Sequence, residues 1–199
     1  MTTRSTSADP TMGWVRAAAV SAGFVAVLWV AEIVDASQHG ELDRYGIQPR
    51  TEDGLWGILF APLLHGGFDH LEANSGPLLV LGFLVATVSL ARWATVMAWA
   101  WLVSGLGVWL VAPDHSLTLG ASGLVFGLLT YLMVAGFLER KPMRILIGVA
   151  VFLIYGGVLL AALPGTPGVS WQGHLFGAVG GVLAAWVHAR RTGTRPYGM

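Results

Sequence analysis

The chain has 199 residues, of which 55% are hydrophobic and only 11% charged, with a mean hydropathy of +0.67. Soluble domains carry roughly 25% charged residues, so this composition excludes an ordinary soluble domain and points to a bilayer. A formal net charge of zero gives no sign of a nucleic-acid partner, and the absence of cysteine excludes disulfides, thiol nucleophiles and thiolate metal sites.

Residues 1–12 read as a short polar tail, residues 13–190 as a helical core and residues 191–199 as a basic tail. The first apolar run, Trp14 to Val34, has about the 20 residues a spanning helix needs. It is too long for the apolar part of a cleaved signal peptide, the rival reading suggested by Arg16 and by Val34-Asp35-Ala36. A polar segment from Asp35 to Leu55 follows, long enough to expect a function or some structure of its own. Trp56 to Leu64 is semi-apolar and leads to His65. Further apolar runs cover Leu71–Leu90, Trp93–Val111, Ala121–Leu138, Ile145–Leu163 and Gln172–Ala189. The expectation is an all-α, polytopic membrane protein with six spans.

Charge placement gives an orientation. With the amino terminus cytoplasmic, the inside segments hold Arg4, Arg16, Arg92, Arg140, Lys141, Arg144, Arg190, Arg191 and Arg195, and the outside keeps Arg44 and Arg50. Such an asymmetry obeys the positive-inside rule. Both termini are then cytoplasmic, and the fourth and sixth spans enter from outside, placing Ser122 and His174 at one depth near the outer face.

Three constellations carry chemistry. Gly120-Ala121-Ser122-Gly123, with Phe126 and Gly127 following, sets a hydroxyl among glycines. Read alone, it is a small-residue packing face. Trp171-Gln172-Gly173-His174 opens the sixth span, with Gly177 and Gly181 on the same helical face as His174. Small surfaces on both helices allow close docking, and an imidazole then reaches the serine, whose hydroxyl needs a base to become nucleophilic. A carboxylate is costly inside a bilayer, so a Ser122–His174 dyad oriented by packing is the economical arrangement. Finally, His65-Gly66-Gly67-Phe68-Asp69-His70 leads to Asn74, which is four residues beyond His70 and shares its helical face. His70 and Asn74 are candidates for donors to an oxyanion, beside the Ser122 backbone N–H. A zinc site from His65, His70 and His174 is the less favoured alternative, because no H-E-x-x-H pair is present. His39, His115 and His188 read as solvated or interfacial. A channel or transporter is not supported, since no internal repeat or charged pathway is evident.

In this order and on these helices, the three constellations resemble the rhomboid family of intramembrane serine proteases over residues 14–190. The resemblance implies a Ser122 nucleophile, a His174 general base and acid, and an oxyanion hole from His70, Asn74 and the Ser122 N–H. His65 then supports the loop and the second helix, with Gly120, Gly123, Phe126, Gly177 and Gly181 in supporting positions. It also implies transmembrane protein substrates reached through the lipid bilayer, no metal or cofactor, and a first loop lying partly in the membrane. The alternative is an inactive rhomboid-like protein that binds membrane helices as a chaperone or adaptor. Two departures stand out. The Trp-Arg pair often found in the first loop is Trp56-Gly57 here, and the tyrosine that often stacks on the imidazole is Phe126. A minimal chain without a transit peptide suits a bacterial plasma membrane.

Overall fold

The computed structural model describes residues 10–166 and 168–193, so most of the expected polar tail and the end of the basic tail lie outside the described residues. Helix α1 spans Pro10–Ser37. It starts before Trp14, so residues 10–12 belong to the helix rather than to the tail, as a proline at a helix start favours. α1 packs on α3 (Phe68–Val88), and the Trp29 indole N–H donates to Ser75 Oγ at 3.0 Å.

The end of the polar segment and the first part of the semi-apolar approach to His65 form a helix, α2, Glu52–Phe60. Thr51 caps it by accepting the Gly54 N–H at 3.0 Å, the usual work of a threonine at that position. α2 lies so close to the backbone before it that a Cβ at Gly57 would stand 2.4 Å from the Gly46 carbonyl oxygen. Trp56, Leu55 and Leu59 remain exposed on its other side, an apolar face suited to lipid.

α4 covers Leu90–Val111, α5 Ser122–Leu138, α6 Pro142–Tyr155 and α7 Trp171–Gly193. α6 runs on as a 3-10 segment, Gly156–Ala162. α5 packs most extensively against α7, and α7 in turn against α4. α5 is apolar all round and buried from Gly123 to Leu132, which is the pattern of a helix at the centre of a bundle.

Among the described residues, four helices are long and apolar enough to cross a membrane: α1, α3, α4 and α6 with its 3-10 extension. α5 is apolar but has only 17 residues. α7 carries Gln172, His174, His188, Arg190 and Arg191 among its apolar residues, which lowers its hydropathy below that of a simple span.

Candidate active site

The loop between α4 and α5 delivers Ser122. It is pinned to the first loop by a two-way backbone bridge, Ile47 N–H to Thr118 O at 2.8 Å and Thr118 N–H to Ile47 O at 3.0 Å. Gly120 N–H then donates to Ala61 O at 2.8 Å. Gly120 has a φ of +117°, and a Cβ there would fall 2.5 Å from His70 Cε1. Only glycine fits, both for its backbone freedom and for the imidazole against it. Ser122 is the first residue of α5, where the helix leaves backbone N–H groups without an intrahelical acceptor.

His174 sits in the first turn of α7, and its Nε2 lies 2.8 Å from Ser122 Oγ. Its Nδ1 lies 2.9 Å from the Ala161 carbonyl oxygen in the 3-10 segment. The ring stacks on Phe126 with centroids 4.2 Å apart and planes 7° from parallel, so loss of the tyrosine hydroxyl leaves the stack in place.

Glycines bring the two helices together. A Cβ at Gly177 would sit 2.2 Å from Gly123 O, and one at Gly181 2.0 Å from Gly127 O. A Cβ at Gly123 would meet Ser104 Oγ at 2.3 Å. Such backbone-to-backbone approaches admit no side chain. Two hydroxyls that sequence reasoning missed close the same seam: Ser104 donates to Gly173 O at 2.8 Å and Thr130 to Ala178 O at 2.8 Å. The signal for them is a hydroxyl within an apolar run beside a glycine, as in Ser104-Gly105, or about one helical turn past one, as in Gly127 to Thr130.

His70, Asn74, Ser122, Phe126, Gln172 and His174 line one cavity of about 810 Å³. Asn74 spends one amide N–H on His70 O at 2.9 Å, leaving its second N–H for a ligand. His65 does not line this cavity. It is 1% exposed, its ring meets that of His70 edge-on, and its Nε2 accepts the Ala121 N–H at 3.3 Å. Burial, and then His70 beside it, push the His65 imidazole down to about 4, which keeps it neutral and able to accept. Its place is behind the serine loop. The three histidines do not form a metal centre, and among the described residues no group of three or more histidines and carboxylates is arranged to hold a metal ion.

The first loop has its arginine after all. Arg50 donates to Leu110 O at 2.9 Å and to Ala112 O at 2.8 Å, and pairs with Asp114. The Trp109 indole N–H returns a bond to Thr51 O at 2.9 Å. Arg50 thus closes the end of α4 and anchors the loop that carries Thr118 and Ser122. Its left-handed backbone, φ 58°, and its partners some 60 residues away hid it from sequence reading. His39 and His115 are exposed as expected. His188 is not: it is 8% exposed and lies edge-on to Tyr131, because α7 stays packed on α5 to that depth.

The Rhomboid domain family matches this chain over residues 52–191. The chain belongs to the rhomboid family. Its membership, with several long apolar helices, makes it an integral membrane protein. An uncharacterized protein of Mycobacterium tuberculosis is 46% identical over 185 residues, covering 87% of this chain and 76% of the relative. An uncharacterized Mycobacterium leprae protein is 42% identical over 193 residues, covering 92% and 75%. A Bacillus subtilis protein that carries the name "Putative rhomboid protease YdcA" is 29% identical over 138 residues, covering 68% of each chain. The family match starts inside the first loop, at the first residue of α2.

Proposed function

We propose that this rhomboid-family protein is an intramembrane serine endopeptidase that cuts peptide bonds within or beside the transmembrane segments of other membrane proteins. The observation that carries the reading is the 2.8 Å contact between Ser122 Oγ and His174 Nε2, with the imidazole stacked on Phe126. A nucleophile and a base within hydrogen-bond reach, with the base itself oriented, are what acyl transfer needs.

In this mechanism Ser122 Oγ attacks the scissile carbonyl carbon while its proton passes to His174 Nε2. The oxyanion accepts hydrogen bonds from the Ser122 N–H, the free Asn74 amide N–H and the His70 ring. Collapse breaks the C–N bond, and His174 gives its proton to the departing amine. Water then attacks the acyl-enzyme, its proton goes to His174, and Ser122 is released with that proton. His70, Asn74 and Ser122 all line the same cavity, and a preorganised oxyanion donor is worth about 10²–10³ in rate.

We read six spans: α5 and α7 join the four long apolar helices, since both are packed within the bundle. The positive-inside rule then sets the site toward the outside of a bacterial plasma membrane, with both termini cytoplasmic.

The test is labelling of detergent-solubilised protein with a fluorescent fluorophosphonate, beside Ser122→Ala and His174→Ala. Labelling of wild type alone supports the reading. A folded wild type that labels no better than Ser122→Ala would sink it and favour a helix-binding role.

A further inference from the structure

A serine–histidine pair without a carboxylate raises the question of what fixes the imidazole. Stacking on Phe126 sets the plane of the ring but not its direction. A half-turn about the Cβ–Cγ bond keeps the plane and exchanges Nε2 for Cε1 at the serine, so a directional contact must select the working orientation. The contact present is between His174 Nδ1 and the Ala161 carbonyl oxygen, at 2.9 Å. A carbonyl only accepts. Nδ1 must therefore carry the proton, and Nε2 of the neutral ring is bare and faces Ser122 Oγ. That is the tautomer a general base requires, and in hydroxyl-based triads a carboxylate enforces it.

We propose that Ala161 is a positioning residue whose backbone carbonyl takes the place of the third member of a triad, and that the 3-10 extension of α6 thereby makes the base competent only when it is docked on α7. The inference rests on the proposed protease reading. The proton stays on the ring throughout: Nε2 gains one from Ser122, Nδ1 keeps its own, and the carbonyl gains charge density rather than a proton. A hydrogen bond of this sort strengthens when its donor becomes charged, so it favours the imidazolium that forms as Ser122 attacks.

The segment that offers the carbonyl is suited to conditional docking. Gly156–Ala162 is a seven-residue 3-10 run, whereas such runs longer than about four residues are uncommon. It has no buried residue, and Leu160, beside Ala161, is 70% exposed. Leu153 and Ile154, near the end of α6, are 76% and 74% exposed. Apart from α5, α6 packs substantially only on its own extension, and that extension packs on α7. Within the segment Leu159 packs against the core, only partly buried, so modest apolar contact opposes a shift, and any shift that carries Ala161 away leaves His174 free to turn.

The experiment changes the carbonyl without changing a side chain. Replacing Ala162 by its α-hydroxy acid makes the 161–162 linkage an ester and the Ala161 carbonyl a poorer acceptor. The control is the same exchange at Leu163, which deletes the 3-10 bond from Leu163 N–H to Leu160 O and leaves the Ala161 carbonyl an amide. Fluorophosphonate labelling rates are compared, and the His174 tautomer is read by ¹⁵N NMR. We expect the Nδ1–H tautomer in wild type. The Ala162 ester should label about tenfold more slowly, the order expected for weakening one hydrogen bond, with part of the ring in the other tautomer. The Leu163 ester should stay within about twofold of wild type on the same scale. Equal losses in both esters, or an unchanged rate and tautomer in the Ala162 ester, would overturn the proposal. A bare Nδ1 in wild type overturns it too, and decides the matter even where the ester protein does not fold. A wild type that shows the expected tautomer yet never labels would instead count against the protease reading.

Discussion

The two ends of α5 solve the problem of polar groups inside a bundle in opposite ways. At its start, Ser122 and His174 form a neutral pair with no carboxylate in the contact. At its end, Glu139 is 1% exposed in its side chain and is held by both Arg92 and Arg144, with Arg92 also donating to the Tyr131 hydroxyl at 3.1 Å. A buried charge is tolerated when it is paired and hydrogen-bonded, and Glu139 has two partners. On the protease reading proposed above, His174 gains a proton during turnover, and an uncharged backbone carbonyl holds it. The difference teaches that paired charge fastens α4, α5 and α6 at one end, while the candidate site at the other end is held by uncharged contacts.

Removing either member of the neutral pair should break the comparison most severely. Ser122→Ala should lose all labelling and cleavage, a loss of about 10³ or more for a nucleophile, with an unchanged thermal melt. Unchanged melting together with retained cleavage would remove Ser122 from the chemistry. Crowding the seam comes next. Gly177→Val forces a side chain into the Gly123 carbonyl, beyond the about 1–3 kcal/mol of ordinary overpacking, so we expect a melting point lowered by several degrees and labelling lost with it. At the other end, Glu139→Gln removes the charge that two arginines share. Breaking a buried pair costs about 3–5 kcal/mol, and the lower end applies because the Arg144 side chain is 30% exposed and can turn to water. Here the melt should fall while the labelling rate per folded molecule holds. Equal loss of both would show that the two ends are coupled.

The site was far more legible in sequence than the frame that holds it. Ser122, His174, Gly177 and Gly181 announce themselves because helical spacing turns a glycine pattern directly into a docking face, and the structure places each of these glycines against backbone. Phe126 was legible only through the family resemblance, in which a tyrosine is often stacked on the imidazole at that position. The contacts that fix the loops did not show. Arg50 reaches partners at Leu110, Ala112 and Asp114, and nothing local predicts a cation closing a helix so distant in sequence. α2 did leave a signal, since Thr51 followed by Glu52 and Asp53 is a helix start, but its glycines and short apolar run disguised it. Ala161 left none at all, because its side chain is immaterial and only its carbonyl acts.

The smallest effect sharpens the comparison from a third place, the outer rim. Arg50 beside it holds the Asp114 carboxyl below its ordinary range, by hydrogen bond first and charge second. A depressed carboxylate stabilises the fold above its unfolded value of about 3.9, and that contribution fades as pH falls through the lower folded value. The group is exposed, so screening by water and salt keeps the contribution small. Wild type should therefore melt slightly above Asp114→Asn at pH 7, and the two should converge as pH falls below the usual carboxylate range. Arg50→Ala should lose more than Asp114→Asn at every pH, because the carbonyls of Leu110 and Ala112 lose their donor whatever the charge on Asp114. If the two variants instead match at pH 7, the ion pair is the whole of the Arg50 contribution. The bonds to α4 would then be passive, and the serine loop would hold its place through the Ile47–Thr118 bridge and the bonds of Gly120 to Ala61 and Ala121 to His65.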